Sequence, residues 1–103
     1  RLPTGIFYAQ GVKANVLFFD RKPAAADPWT KQTWVYDLRT NMHFTLKTKP
    51  LRAEDLADFV NAYSPDDRSR RVDSERFRCF THDELVARDK ANLDITWLRD
   101  ESL

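Results

Sequence analysis

The sequence predicts an α/β piece, with strand-like apolar runs through its first half and helical patterns through its second. Residues 5–8, 15–19 and 33–38 are dense in β-branched and aromatic side chains, whereas Leu56, Phe59, Val60 and Tyr63 recur at helical spacing. Thr81 and Glu84, three residues apart, add a helix-start signal.

Ile6-Phe7-Tyr8 and Val16-Leu17-Phe18-Phe19 flank the small and polar residues Ala9-Gln10-Gly11. The second run is apolar at every position, so both of its faces need cover, and it reads as a buried strand facing the core. Residues 21–32, with Pro23, Pro28 and three alanines, form a connecting loop. Residues 33–38 alternate more clearly, and the simplest topology pairs them antiparallel with residues 16–19. An amphipathic helix over 53–63 rests on that sheet until Ser64-Pro65 ends it.

Residues 66–75 mix both charges without apolar periodicity and read as a solvated loop. The Thr81 hydroxyl and the Glu84 carboxylate make a capping box, and Phe80 and Leu85 occupy the two positions of a hydrophobic staple. The helix they open is expected to run to about Lys90, with Asn92 as a left-handed stop. Residues 93–98 are too few to assign.

A length of 103 residues supports one small domain with a marginal core. The chain opens on Arg1 and Leu2-Pro3 runs almost directly into a strand pattern, so a piece of a longer protein is expected. A net charge of +1 does not by itself point to a polyanion. Locally, however, the charged residues over 39–52 are Arg39, Lys47, Lys49 and Arg52, all basic, while residues 83–101 carry six acids against three bases. The first of these stretches is the one suited to phosphate. The lone Cys79 cannot form an internal disulfide, and no apolar run reaches transmembrane length, so a cytoplasmic protein with no membrane partner is expected.

Only Gly5 and Gly11 are present, too few for a phosphate-cradling loop or a dinucleotide fingerprint. His43 and His82 lack a second ligand at metal spacing, so no metal site is expected. Cys79, beside Phe80, reads as a small core residue. Asp66 and Asp67 with Arg68, Arg70 and Arg71 read as a charged surface loop, and Trp29, Trp34 and Trp97 as core or edge tryptophans. By residue type alone there is no self-contained catalytic set.

Longer blocks carry more information. Leu2-Pro3-Thr4-Gly5-Ile6-Phe7-Tyr8, Gly11-Val12-Lys13-Ala14-Asn15-Val16-Leu17-Phe18-Phe19 and Trp34-Val35-Tyr36-Asp37-Leu38-Arg39-Thr40-Asn41 together resemble the modification subunits of type I restriction systems, which are adenine-N6 DNA methyltransferases. The likeness continues through Asp58-Phe59 and from Phe77 to Asn92-Leu93-Asp94-Ile95, nearly the whole chain. It implies the C-terminal part of an S-adenosylmethionine-dependent methyltransferase fold: residues 1–48 supply edge antiparallel strands and a target-base loop, and residues 49–103 a helical extension. The S-adenosylmethionine site and the Asn-Pro-Pro-aromatic motif of that family belong upstream of this sequence, so the piece alone is expected to be inactive.

In related adenine methyltransferases an aromatic residue five positions ahead of the apolar start of the last strand packs on the flipped adenine; counting back from Val12, that residue is Phe7. A base pulled from the duplex loses its stacking and needs another π surface. On pattern alone Phe7 reads equally as a core residue beside Ile6, Tyr8 can equally form the wall, and Asn15 either positions loop backbone near the pocket or begins a strand. The resemblance implies DNA, a specificity subunit and a restriction subunit as partners. Its rival is a non-catalytic module that binds nucleic acid or another subunit through residues 39–52 and exposed aromatics. Either way, a cut sheet edge predicts self-association of the piece.

Overall fold

The computed structural model describes residues 1–9 and 11–99. Two strands, β1 (Gln32–Tyr36) and β2 (Phe77–Thr81), form one antiparallel pair in which Gln32 lies opposite Thr81 and Tyr36 opposite Phe77. Two short helices, α1 (Ala57–Tyr63) and α2 (His82–Val86), accompany them. The α/β expectation holds at this level, and the strand pairing differs from the expected one.

Residues 16–19 are neither a strand nor a core element. They run without regular hydrogen bonding, and Val16, Leu17, Phe18 and Phe19 are 51%, 62%, 62% and 81% exposed. The partner of β1 is β2 instead, because β2 offers Phe77 to the same apolar face as Trp34 and Tyr36. Where β1 runs out, its other side is occupied too. The Arg1 backbone nitrogen donates to Tyr36 O at 2.8 Å, and the Leu38 amide donates to Arg1 O at 3.1 Å. Residues 5–8 bend rather than extend, starting from Gly5, which is buried at φ 84°, a left-handed conformation that a side chain would strain.

The core is an aromatic chain. Trp34 stacks on Phe77 with centroids 4.7 Å apart, Tyr36 meets Phe77 at 6.1 Å and Phe59 at 5.4 Å, and Phe59 stacks on Tyr63 at 5.4 Å. Leu38 is buried with Tyr36 and Phe77, and Met42, Leu51, Leu56 and Ala62 close around them. This cluster draws on residues both before and after position 48. Phe18 reaches one end of it, 6.0 Å from Phe59 and 5.4 Å from Tyr63, although most of its ring remains in water.

The predicted helix over 53–63 is present as a 3₁₀ turn, Ala53–Leu56, continuing into α1. Phe59 points inward as its spacing requires, but Val60 is 62% exposed, since so short a helix rests on the sheet by a narrow stripe. Ser64 ends it in the left-handed conformation, at φ 41°. Residues 66–75 are a charged surface stretch with one 3₁₀ turn, Arg68–Arg70, capped by Asp67.

At α2 the capping box is in place: the Glu84 amide donates to Thr81 Oγ1 at 3.2 Å and the Thr81 amide donates to Glu84 Oε2 at 3.3 Å. The helix stops at Val86 rather than near Lys90, and Asn92, at φ −59° and ψ 130°, is not its left-handed stop. Lys90 and Ala91 take the positive φ values instead, 54° and 51°. The reason lies in the local bonds: Asn92 Oδ1 accepts from the Asp94 amide at 2.6 Å, and Arg88 Nε donates forward to Asn92 O at 2.7 Å. Together they turn the chain so that Ile95, only 4% exposed, enters the interior. Trp97 then packs on Phe80 at 5.9 Å and donates to Glu75 O at 2.8 Å. No helix among the described residues is long and apolar enough to cross a membrane.

Candidate functional site

Directly after β1 the chain makes an aspartate-centred turn. Asp37 is fully buried, and its Oδ1 accepts from the amides of Arg39 and Thr40, both at 2.8 Å. Its Oδ2 accepts from the Thr40 hydroxyl at 2.8 Å and from Arg1 Nη1 at 3.0 Å. A short carboxylate placed ahead of two free amides does this readily, which is why aspartate favours such turns. Burial alone would raise the Asp37 pKa; the bonds from Thr40 and Arg39 and the charge of Arg1 outweigh it and hold the carboxyl below its usual range. Arg76 fastens the turn from outside, donating to Asp37 O at 2.8 Å and Thr40 O at 2.9 Å.

The turn aims Arg39 at the start of the chain. Its Nε donates to Leu2 O at 2.8 Å, and Nη2 donates to Ala14 O at 2.8 Å and Asn15 Oδ1 at 3.3 Å. Nη1 meets Asp94 Oδ1 at 3.4 Å, and the Arg39 side chain is only 10% exposed. The Leu2 amide also donates to Ala14 O at 2.9 Å. The segment from Leu2 to Ala14 is therefore a loop whose two ends are tied to each other and to one guanidinium.

The candidate residues fall on this loop. Phe7 is 39% exposed and Tyr8 is 95% exposed, both within the loop span, and Asn15 stands at its base against Arg39. Three further contributors, Asp37, Arg39 and Asp94, carry no site signal by residue type alone. By charge alone Arg39 belongs to the basic stretch suited to phosphate, but its donors are committed to Leu2, Ala14, Asn15 and Asp94. The available signal was Asp37 followed by Thr40 just past a strand, the pattern of an aspartate-capped turn.

The rest of the basic stretch is exposed. Thr45 Oγ1 accepts from the amides of Thr48 and Lys49 at 3.2 Å and 2.8 Å, making a tight turn at whose surface Lys47 stands, while Lys49 lies 5.9 Å above the Phe44 ring. Trp29 is 57% exposed, its indole donating to Pro23 O at 2.8 Å. His43 is exposed and His82 half-buried, and no metal-ligating cluster occurs among the described residues. Cys79 is half-buried in β2, where burial, and then Asp73 and Glu84, push its thiol pKa up.

These residues do not fit S-adenosylmethionine. The acid that follows a strand, Asp37, has no face left for a ribose hydroxyl, and Gly5 and Gly11 do not form a glycine-rich turn.

A buried aspartate turn holding a closed loop with aromatic side chains in water is the setting of the blocks that matched a methyltransferase in sequence. The chain belongs to the N-6 DNA methylase family, whose model matches residues 1–99. Among individual proteins it is 37% identical, over 98% of its own length, to the type I restriction enzyme StySPI methylase subunit of Salmonella potsdam. Identity to the EcoKI methylase subunit of Escherichia coli K12 is also 37%, and to the StySJI methylase subunit of Salmonella typhimurium 36%, each again over 98% of this chain. The chain spans about a quarter of the length of these relatives, the aligned part being 25% of each.

Proposed function

We propose that this chain is the target-base section of the modification subunit of a type I restriction-modification system, an adenine-N6 DNA methyltransferase. The observation that carries the reading is the Leu2 to Ala14 loop, closed at its base and carrying Phe7 and Tyr8 with solvent-accessible rings. An adenine extruded from a duplex needs a flat apolar surface to replace its lost neighbours. Phe7 supplies that surface, Tyr8 walls the pocket, and Asn15 holds the end of the loop. In the parent protein the section lies at the edge of the S-adenosylmethionine-dependent sheet. The cofactor supplies the methyl group from a site formed by other residues of the parent. The piece alone therefore neither binds the cofactor nor methylates DNA.

The parent acts with DNA, a specificity subunit that chooses the site and a restriction subunit. The remaining exposed cations, Lys47 among them, suit a phosphate backbone better than a base edge. The test is Phe7→Ala in the full-length parent assembled with its specificity subunit. Loss of one base-stacking contact, about 1 to 3 kcal/mol, is expected in single-turnover methylation or duplex affinity. A variant that melts far below the parent, yet methylates normally wherever it stays folded, would show that Phe7 is a structural residue and overturn the assignment.

A further inference from the structure

We infer that Arg39 is a positioning residue for the target base, acting as the clamp that fixes the aromatic loop against Asp94. The inference rests on the reading of that loop as a base platform and adds a residue to which neither the residue pattern nor the family likeness assigned such a role.

The geometry has three parts. One planar guanidinium bonds the carbonyls at both ends of the loop, Leu2 O and Ala14 O, each at 2.8 Å. Its remaining edge faces the Asp94 carboxylate, at 3.4 Å, which Arg1 Nε also meets at 3.1 Å. Behind it, the Arg39 amide is itself fixed on buried Asp37 at 2.8 Å. The clamp is thus held from its backbone as well as from its tip.

A fork of fixed donors can hold two carbonyls at once, and a lysine ammonium on a flexible stem cannot reproduce that geometry. Loop position matters because a platform displaced by about 1 Å can cost on the order of a hundredfold in rate. The Arg39 donors are committed to Leu2, Ala14, Asn15 and Asp94. Its effect travels through Phe7.

The experiment uses the full-length parent with its specificity subunit, and duplexes carrying 2-aminopurine at the target adenine to report extrusion. Arg39→Lys is expected to lower single-turnover methylation by about ten- to a hundredfold, with weakened 2-aminopurine enhancement, while non-target duplex affinity changes less than twofold. Amide exchange at Leu2 should speed up while exchange in β1 and β2 does not. Combining Arg39→Lys with Phe7→Ala is expected to be no worse than Phe7→Ala alone, because a misplaced platform and a missing one fail in the same way.

Multiplicative losses in the double variant would overturn the inference while leaving the platform reading intact. Full activity of Phe7→Ala together with impaired Arg39→Lys would sink the platform reading and the clamp's stated role with it. If Arg39→Lys fails to fold, Asp94→Ala carries the test, since it removes the acceptor shared by Arg39 Nη1 and Arg1 Nε at the outer, half-exposed end of the clamp and leaves both bonds to the loop carbonyls; it should show the same non-additivity with Phe7→Ala at smaller amplitude, and no effect on methylation would again overturn the clamp.

Discussion

The Tyr36 phenol donates to Asp58 Oδ2 at 2.7 Å, joining the end of β1 to the first turn of α1. Tyr36 lies in the centre of the aromatic chain, so its ring packs and its hydroxyl selects the helix position. Burial first, and then this bond to a carboxylate, push its phenol pKa well above the ordinary value. Tyr36→Phe keeps the ring and removes the bond, and is expected to cost about 0.5 to 1.5 kcal/mol by denaturant titration. A change in midpoint below error would mean that the bond adds nothing beyond what water supplies.

At the other helix, Thr81→Ala removes the side-chain acceptor seen at the Glu84 amide. A loss of about 1 kcal/mol is expected. Thr81→Ser, which keeps an oxygen in reach, should recover most of it, and failure of serine to do so would assign the effect to the lost methyl group instead.

Asp37 makes the turn sensitive to acid. Its folded pKa is depressed, so its contribution is fully present above the unfolded value of about 3.9 and is lost as pH falls through the lower folded value. The groups facing it are Arg1, Arg39 and Thr40, with Arg76 on the backbone behind. Asp37→Asn should cost about 1 to 3 kcal/mol near neutrality and flatten this acid limb of the stability curve. Curves that stay parallel between pH 2 and pH 6 would show that another carboxylate governs the limb.

What could be read from the sequence was local or carried by long blocks. The Thr81 and Glu84 cap needs only residues three apart, and the structure has it as expected. Phe59 at helical spacing likewise found the core. Pairing was not legible: residues 16–19 and 77–81 are both apolar enough for β1, and choosing between them depends on a closure of about forty residues that no local pattern encodes. Nor was Arg39 legible as a clamp, because an arginine that binds carbonyls and one that binds phosphate look identical in a charge count. Helix α2 is shorter than its sequence pattern predicts for a related reason, since the bonds of Arg88 and Asn92 that turn the chain involve side chains with no fixed periodicity.

The exposed run at 16–19 predicts how the isolated chain behaves. Four consecutive apolar residues in water form a sticky patch, and self-association at high concentration is expected. Phe19, 81% exposed, contributes to that patch and little to the core. Phe19→Ser should change folding stability by less than about 0.5 kcal/mol while shifting sedimentation toward monomer. If the wild-type chain already sediments as a clean monomer, the patch is not an association surface.

Phe7 and Tyr8 are adjacent but differently placed, and the difference separates their roles. Tyr8, almost wholly in solvent, has little packing to lose, so Tyr8→Ala should alter the stability of this chain by under about 0.5 kcal/mol. Phe7 is 39% exposed, hence partly packed, and Phe7→Ala should cost about 1 to 2 kcal/mol from the apolar area it does bury. A fully enclosed phenylalanine would instead lose about 3 to 5 kcal/mol. On the proposed base-platform reading, the stacking ring in the full-length parent is the one whose removal costs roughly 1 to 3 kcal/mol in methylation or affinity beyond what its loss of stability explains. That ring is expected to be Phe7, with Tyr8→Ala giving a smaller loss. Phe7→Trp sharpens the comparison, because an open platform accepts a wider ring whereas a packed site is strained by it. Retention of methylation in Phe7→Trp with loss in Phe7→Ala is the expected pattern; a larger loss for Tyr8→Ala than for Phe7→Ala would move the platform one residue along the loop.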